Sequence, residues 1–238
     1  MAKTKSTATT NQFIGTPPKN LDDHIFYGMT LDDEQKTFRD ALYDESVRIV
    51  FCNAVAGTGK TTIATMVGNI LTGYRLYEGM IYIACPTREA KIGFLPGTYE
   101  EKTDPYFEPF YQACLKANIQ INTAINQKSI INQKEGCGYI DCVTHLYMRG
   151  LNYENKYIIL DESQNFTLEE LKLILTRFHD SCKVVVLGHT GQVDISDRTN
   201  NNGFSRYIDH FKGDARCAVC TLSKNYRGWI SSHADSIQ

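Results

Sequence analysis

Two spacings of apolar residues alternate along the chain. Short runs of consecutive apolar, often β-branched residues are separated by stretches in which apolar residues recur every three or four positions. The short runs predict buried strands, and the wider spacing predicts amphipathic helices that cover them. The predicted strands are 47–51, 80–85, 138–143, 157–160, 183–188 and 217–222, and the predicted helices are 31–42, 62–71, 106–117 and 168–178. This alternation predicts an α/β fold with a mostly parallel sheet and helices on both faces.

Residues 1–20 do not follow this alternation. They are rich in Thr, Ser, Asn, Lys and Pro and contain no acidic residue, which predicts a flexible, weakly basic N-terminal arm. Residues 21–238 are then expected to form a single domain. No apolar run approaches the roughly 20 residues that cross a bilayer, and the N-terminus lacks the apolar core of a signal peptide. We therefore expect a cytoplasmic protein without a membrane partner.

Charge and cysteine content restrict the possible functions only a little. A net charge of −2 argues against a protein that coats nucleic acid by bulk charge, although it allows a local basic channel. Several of the eight cysteines lie inside apolar runs, which favours reduced, packed thiols. Four of them could in principle bind zinc, but their spacing makes this the weaker interpretation. These four are Cys137, Cys142, Cys217 and Cys220.

Residues 54–62 provide the strongest chemical signal, because they connect a predicted strand to a predicted helix in the pattern of a phosphate-binding loop. Their sequence is Ala54-Val55-Ala56-Gly57-Thr58-Gly59-Lys60-Thr61-Thr62. Glycines allow backbone N–H groups to turn inward around a phosphate, and the helix N-terminus adds its dipole. Lys60 is expected to bridge the β- and γ-phosphates, and the Thr61 hydroxyl is expected to bind Mg²⁺. Ala54 departs from the pattern, which has glycine there, and would be strained at positive φ.

Two adjacent acids follow the predicted strand 157–160. Ligands of open α/β sheets bind at the carboxyl ends of the strands, so Asp161 and Glu162 are expected near the phosphate-binding loop. Asp161 would hold Mg²⁺, and Glu162 would act as general base on the attacking water. The adjacent pair favours ATP hydrolysis over a small-molecule kinase, for which no acceptor pocket is recognisable.

Several further segments resemble the PhoH-like family, phosphate-starvation-inducible ATPases related to superfamily 1 helicases. The resemblance extends over about 31–229. Its motifs are PTREAKIGFLPG (86–97), EKTDPY (101–106), YMRG (147–150), LDESQN (160–165), LTR (175–177), SCK (181–183) and GHTGQVD (188–194). It implies a P-loop NTPase domain with a RecA-like sheet, ATP and Mg²⁺ as cofactors, and hexamers. The many Asn and Tyr residues also give the impression of a phage-encoded protein.

The resemblance implies roles for three more residues. Gln35 would contact adenine, Gln192 would sense the γ-phosphate or the attacking water, and Arg227 would reach the γ-phosphate. A solvated surface cation is the alternative for Arg227. The family pattern Gly-Asp-x-x-Gln has His189 in place of its aspartate, which removes an acid from the rim of the site.

Two functions remain open at this point. The first is a helicase-like ATPase acting on single-stranded nucleic acid, RNA in the first place. Because the chain has one such domain, it would work as a homo-hexameric ring with nucleotide at each interface. Strand contacts would come from basic and aromatic residues, each with a packed loop as the alternative. They are Arg88, Lys91, Arg149, Phe94, Tyr99, Tyr106 and Phe107.

The second function is a nucleotide-gated regulatory or binding module with little turnover, which Ala54 and His189 favour.

Overall fold

A computed structural model describes residues 13, 15–22, 26–85, 103–148, 150–191 and 203–235. Within these ranges one six-stranded sheet has the order β3-β2-β4-β5-β1-β6. The strands are β1 (Ile49–Ala54), β2 (Gly79–Ala84), β3 (Ile140–Thr144), β4 (Lys156–Leu160), β5 (Lys183–Gly188) and β6 (Cys217–Leu222). Every strand pairing is parallel.

Helices connect and cover these strands. They are α1 (Asp33–Tyr43), α2 (Lys60–Gly73), α3 (Glu108–Lys116), α4 (Ile121–Ala124), α5 (Ile130–Glu135), α6 (Leu168–Leu175), α7 (Gly203–Phe211) and α8 (Trp229–Asp235). Short 3-10 helices occupy Asp104–Phe107, Asn126–Lys128, His145–Tyr147 and Ser163–Asn165. None of the described helices combines the length and the hydropathy needed to cross a membrane.

The predicted α/β fold with a mostly parallel sheet is confirmed. All residues of β2 and β5 are buried, because helices lie on both faces of the sheet and leave no solvated side. This burial explains why the strands appear in the sequence as continuous apolar runs. The predicted strands 183–188 and 217–222 match β5 and β6 end to end, and the ends of the others differ from the prediction by at most three residues.

Two hydrophobic clusters hold the layers together. Helices α1, α2 and α3 cover one face, where Phe38, Met66 and Phe110 are fully buried. Helices α6 and α7 cover the other face with Leu171 and Phe204. The sheet is therefore fixed from both sides, and the loops at its carboxyl edge start from a rigid base.

Capping boxes define where α1 and α6 begin. The Gln35 backbone N–H donates to Asp32 Oδ1 at 2.8 Å, and the Asp32 N–H donates to Gln35 Oε1 at 3.1 Å. A second capping box begins α6, where Glu170 N–H donates to Thr167 Oγ1 and Thr167 N–H donates back to Glu170 Oε2. These reciprocal bonds satisfy the free amides of the first turn.

Lys183 ties the carboxyl end of α1 to the amino end of β5. Its ammonium group donates to the carbonyl oxygens of Ala41, Asp44 and Val47 at 3.0, 2.7 and 2.6 Å. The residue is 1% exposed, and burial lowers the pKa of Lys183 to about 7. Two of these carbonyls, those of Ala41 and Asp44, lie at the end of α1, where the helix provides no intrahelical donor for its last carbonyls.

Three of the four cysteines considered for zinc lie in the sheet, and the fourth, Cys137, precedes β3. Cys142 lies on β3 and Cys217 and Cys220 lie on β6, which are its two opposite edges. Burial raises the pKa of the Cys142 and Cys220 thiols, so both remain protonated, packed thiols near neutral pH. The geometry therefore supports packing over a shared metal ion.

Part of the N-terminal segment contacts the domain. The Phe13 ring stacks on Tyr74 with centroids 5.0 Å apart, and the Tyr43 hydroxyl donates to the Pro18 carbonyl. The flexibility expected of residues 1–20 as a whole stays a prediction.

Candidate active site

The candidate site lies at the carboxyl edge of the sheet, where β1, β5 and β4 end side by side. The phosphate-binding loop follows β1 and the acid pair follows β4, with β5 between them. Because all three strands are parallel, their carboxyl ends bring segments that are distant in sequence to one place.

The loop after β1 has the backbone shape that its glycines allow. Gly57 and Gly59 have φ values of 76° and 83°, a region that residues with a Cβ enter only at a cost. Ala54 is the last residue of β1 and pairs in register with Leu222 of β6. It therefore has the extended conformation of a strand, and alanine at this position causes no backbone strain.

The loop leaves its donors available to an anion. Gly59 caps α2 without a side-chain hydrogen bond, and no acidic residue lies in the first turn of α2. The first amides of the helix have no intrahelical acceptor, and no side-chain cap from the described residues occupies them. Thr58 Oγ1 is buried and has no hydrogen-bond partner in the described part of the chain. Free amides, an orphaned hydroxyl and the Lys60 ammonium fit a phosphate group.

Asp161 meets the start of α2. Thr61 Oγ1 donates to Asp161 Oδ2 at 2.8 Å, and the Tyr82 hydroxyl donates to the same oxygen at 3.0 Å. The Glu162 N–H donates to the other oxygen, Oδ1, at 2.9 Å. Burial raises the pKa of Asp161, and the nearby Lys60 charge opposes this shift. A hydroxyl and a carboxylate side by side are the oxygen ligands that Mg²⁺ prefers, so Thr61 and Asp161 fit that ion.

Glu162 has an unusual backbone and a held side chain. Its φ and ψ are 51° and 41°, the left-handed region, which is rare for a residue with a long side chain and concentrates at functional sites. Glu162 Oε1 lies 3.7 Å from Lys60 Nζ, and Glu162 Oε2 accepts a 2.6 Å hydrogen bond from Gln164 Nε2. The carboxylate is thus fixed next to the cation that is expected to bind phosphate.

Gln164 connects Glu162 to the end of β5, which the sequence did not indicate. Its Nε2 donates to Glu162, and its Oε1 accepts from the His189 N–H at 3.1 Å. The next residue, Thr190, donates its N–H to Asn53 Oδ1 of β1 at 3.0 Å. These hydrogen bonds, together with the backbone between His189 and Thr190, connect the general-base candidate through the end of β5 to the strand that carries the phosphate-binding loop.

Gln35 lies against the phosphate-binding loop. Its Nε2 donates to the Thr58 carbonyl at 2.9 Å, while its Oε1 caps α1. The residue is 3% exposed. The structure thus places Gln35 beside the loop, and its predicted contact with adenine stays a prediction.

The segment 225–227 packs on the phosphate-binding loop of its own chain. The Tyr226 N–H donates to the Gly57 carbonyl at 2.9 Å. A Cβ placed on Gly57 would lie 2.5 Å from Asn225 Oδ1 and 2.9 Å from Arg227 Cγ. Arg227 therefore lies beside the phosphate-binding loop of its own chain. The hexameric ring stays a prediction from the resemblance.

Tyr226 belongs to the same segment, and the sequence assigned it no role of its own. Its hydroxyl donates to Asp32 Oδ2 at 2.6 Å, and Asp32 is the cap that also holds Gln35. The ring is 48% exposed, so it offers an aromatic surface beside the loop.

Other predicted residues fall in different places. Phe107 is 5% exposed and packs edge-on against Tyr82. The alternative interpretation of Phe107, a packed aromatic residue and not a strand contact, therefore fits the structure. Tyr106 is partly exposed. The remaining predicted contacts lie outside the described residues, namely Arg88, Lys91, Phe94, Tyr99, Arg149 and Gln192.

Comparisons with known proteins agree with the resemblance in the sequence. A family model described as "PhoH-like protein" matches residues 29–227. The chain is 29% identical over 235 residues to Protein PhoH2 of Bacillus subtilis (strain 168), covering 92% of this chain and 50% of the relative. It is 37% identical over 164 residues to a PhoH-like protein of Mycobacterium leprae (strain TN), covering 68% and 44%. The chain thus spans about half the length of these relatives.

Solved structures give a weaker likeness. The UvsW helicase from bacteriophage T4 superposes with a TM-score of 0.47 at 14% identity, covering 82% of this chain and 61% of that one. The Bacteroides sp Pif1 structure in complex with ADP-AlF4 superposes with a TM-score of 0.42 at 15% identity, covering 84% and 44%.

Proposed function

The chain belongs to the PhoH-like protein family, and on that premise we propose that it binds Mg²⁺ and ATP at the carboxyl edge of its sheet and hydrolyses the ATP. The observation that carries the proposal is the 2.8 Å hydrogen bond between Thr61 Oγ1 and Asp161 Oδ2. It brings the phosphate-binding loop and the acid pair to the two sides of one small volume, as hydrolysis of a metal-bound triphosphate requires.

Residues 54–62 bind the triphosphate. The backbone amides around Gly57 and Gly59 and the first turn of α2 surround the β-phosphate, and Lys60 bridges it to the γ-phosphate. Thr61 and Asp161 hold Mg²⁺, which supplies neutralisation of the phosphate charge. Gln35 and the exposed ring of Tyr226 flank the outer side of the loop, where they contact adenine.

Glu162 is the general base. Its carboxylate takes a proton from water as the water oxygen bonds to the γ-phosphorus, and the bond to the β–γ bridging oxygen breaks to release ADP and phosphate. Lys60 lies 3.7 Å from Glu162, so a γ-phosphate at Lys60 also lies beside the base. Arg227 and Gln192 stabilise the transferred group, a role in which an arginine contributes about 10³–10⁵ in rate.

The proposed partner is single-stranded nucleic acid, with RNA as the preferred candidate. Three of the predicted strand contacts, Arg88, Lys91 and Phe94, follow β2 in the sequence, and the carboxyl end of β2 lies at the edge of the sheet that carries the acids. Stacking surfaces with backbone-neutralising cations are the usual way to hold such strands. A cytoplasmic, homo-hexameric ring is part of the same proposal.

The test measures phosphate release with and without single-stranded RNA and single-stranded DNA. Lys60→Ala is expected to abolish nucleotide binding, because it removes the cation from the loop. Glu162→Gln is expected to retain binding and to lower kcat by at least about 10²-fold, because the amide cannot accept the proton. Equal phosphate release from both variants and the wild type would show that the site is assigned wrongly.

A nucleotide-gated module with little turnover is the second candidate. One observation favours it. Both oxygens of the Glu162 carboxylate are engaged, one by Lys60 and one by Gln164, and these contacts restrict rotation of the Glu162 side chain. Nucleotide-dependent RNA binding by the wild type, with phosphate release no faster than that of Glu162→Gln, would select this candidate.

A further inference from the structure

Tyr82 is a buried tyrosine in the middle strands of the sheet, and no step proposed above uses it. It lies on β2 and pairs in register with Ile159 of β4, two residues before Asp161. The residue is 2% exposed. In a fully covered parallel sheet such a position ordinarily holds an aliphatic side chain, so the phenol oxygen needs a reason to be there.

The hydroxyl is directed at Asp161. It donates to Oδ2 at 3.0 Å, the same oxygen that accepts from Thr61 at 2.8 Å. With the Glu162 N–H on Oδ1, three donors hold the carboxylate, and both of its oxygens are fixed. Tyr82 is the one of these donors that belongs neither to the phosphate-binding loop nor to the acid pair.

Aromatic packing fixes the ring that carries this hydroxyl. Tyr82 stacks on Phe110 of α3 with centroids 4.4 Å apart and an interplanar angle of 14°. Phe107 packs against it edge-on, with centroids 6.3 Å apart. The position of the oxygen is therefore set by the core and does not depend on solvent or on the site itself.

From this geometry we propose that Tyr82 is a positioning residue for the metal ligand Asp161, and that its hydroxyl sets the affinity of the site for a divalent cation. The inference rests on the proposed function, because it assigns Asp161 to Mg²⁺. Groups that orient a metal-binding side chain typically change metal affinity by about 10- to 100-fold when they are removed.

Tyr82→Phe is a clean variant. It deletes one oxygen atom, and the phenyl ring can keep the stack on Phe110. Two other buried tyrosines provide matched controls. The Tyr157 hydroxyl, on the adjacent strand β4, has no hydrogen-bond partner in the described part of the chain. The Tyr139 hydroxyl donates a buried 2.8 Å hydrogen bond to Asn69 Oδ1, away from the acid pair.

The experiment measures cation binding at equilibrium, with Mn²⁺ as the probe. Free Mn²⁺ is followed by electron paramagnetic resonance while it is titrated into protein that is in excess over a non-hydrolysable ATP analogue. We expect the Kd for Mn²⁺ to rise about tenfold in Tyr82→Phe. It is expected to stay within about twofold of the wild type in Tyr157→Phe and Tyr139→Phe. Binding of a fluorescent ATP analogue in EDTA is expected to be the same in all four proteins.

Thermal melts separate positioning from simple stabilisation. Tyr82→Phe and Tyr139→Phe each lose one buried hydrogen bond and should lose similar stability, whereas only the first should lose cation affinity. An unchanged Kd for Mn²⁺ in Tyr82→Phe, or an equal rise in Tyr139→Phe, would overturn the assignment. If the wild type binds no nucleotide and releases no phosphate, the proposed function fails. If the wild type does both and Tyr82→Phe equals it, only the Tyr82 inference fails.

Discussion

Thr61 Oγ1 and Asp161 Oδ2 form a 2.8 Å hydrogen bond although the residues are 100 positions apart in the chain. Parallel strands create this contact, because β4 and β1 both end at the same edge of the sheet, separated only by β5. The contact also places a carboxylate that is 2% exposed next to the N-terminus of α2. Metal binding therefore favours the charged form of Asp161, whereas the stability of the fold favours the neutral form.

Asp161→Asn tests this conflict. Burial raises the pKa of Asp161, so ionisation of this residue costs the native state stability as pH rises through that pKa. Stability from the neutral form is fully present below the ordinary aspartate pKa and is lost as pH rises through the raised pKa of the folded state. The variant should therefore unfold with a free energy about 1 kcal/mol higher than the wild type at pH 7 in EDTA, while losing metal-dependent hydrolysis.

Denaturant titrations at several pH values measure this difference. It should shrink as the pH falls toward 4, because the wild-type carboxyl then becomes protonated as well. Asp141→Asn, on β3 at the sheet edge, is the control and should leave hydrolysis unchanged. The argument would be refuted if the stability of Asp161→Asn, measured relative to wild type, were lower at pH 7 than at pH 4.

Gln164→Ala tests the connection between Glu162 and the end of β5. The change frees the Glu162 carboxylate and leaves the His189 N–H without its acceptor. We expect kcat to fall about tenfold with little change in ATP affinity, and stability to fall by about 1–2 kcal/mol. Steady-state kinetics and melting curves measure these effects.

A surface glutamine supplies the matched control for Gln164. Gln112 Nε2 donates to Glu108 Oε1 at 2.7 Å on the exposed side of α3, so Gln112→Ala breaks the same type of pair away from the site. If both variants lowered kcat equally, or if Gln164→Ala raised KM alone, Gln164 would have no positioning role.

The sequence predicted the strands, the phosphate-binding loop and four of the eight described α-helices, because these depend on local spacing. For example, the apolar run Lys183–Gly188 predicts a buried strand whatever position that strand takes in the sheet. Helix α8 was not predicted, because Trp229 and Ile230 are 74% and 78% exposed and the helix has no buried stripe to produce a pattern.

The support around the site could not be predicted, because it depends on strand order. Tyr82 reaches Asp161 only because β2 lies on one side of β4, and Gln164 reaches the His189 N–H only because β5 lies on the other. Hydrophobic spacing carries no information about which strands are neighbours. Tyr82 therefore resembled any core residue of a strand, and Gln164 resembled a polar residue in a turn.

Gly57→Ala tests the packing of 225–227 on the phosphate-binding loop. The new Cβ would lie 2.5 Å from Asn225 Oδ1 at a backbone φ of +76°. We expect a loss of about 2–4 kcal/mol in stability and at least a tenfold weaker binding of ATP, since the contact with Arg227 is displaced. Gly136→Ala is matched in φ at +62° but meets nothing within 4 Å. It should cost only about 1 kcal/mol and leave ATP binding intact. Equal effects of the two substitutions would mean that backbone strain alone is responsible.

Lys183→Met isolates the contribution of the buried Lys183 amino group at the amino end of β5. The substitution leaves the carbonyls of Ala41, Asp44 and Val47 without their donor, so we expect a loss of about 2–4 kcal/mol in the free energy of unfolding.

The pH dependence of this loss has a definite sign. Burial lowers the pKa of Lys183 to about 7 from the ordinary lysine value of 10.5. Between these two values the unfolded chain binds more protons than the native one, so wild-type stability rises with pH across this window and falls as pH drops toward 7. Methionine has no such dependence, and the difference between wild type and Lys183→Met should therefore grow from pH 7 to pH 9 in urea titrations. The buried tyrosines and cysteines also contribute to the pH dependence of the free energy of unfolding. Both proteins contain them, so their contributions cancel when the two proteins are compared at each pH. A difference that stays constant or narrows over this range would show that Lys183 remains charged in the folded protein, with the three carbonyls sustaining its charge against burial.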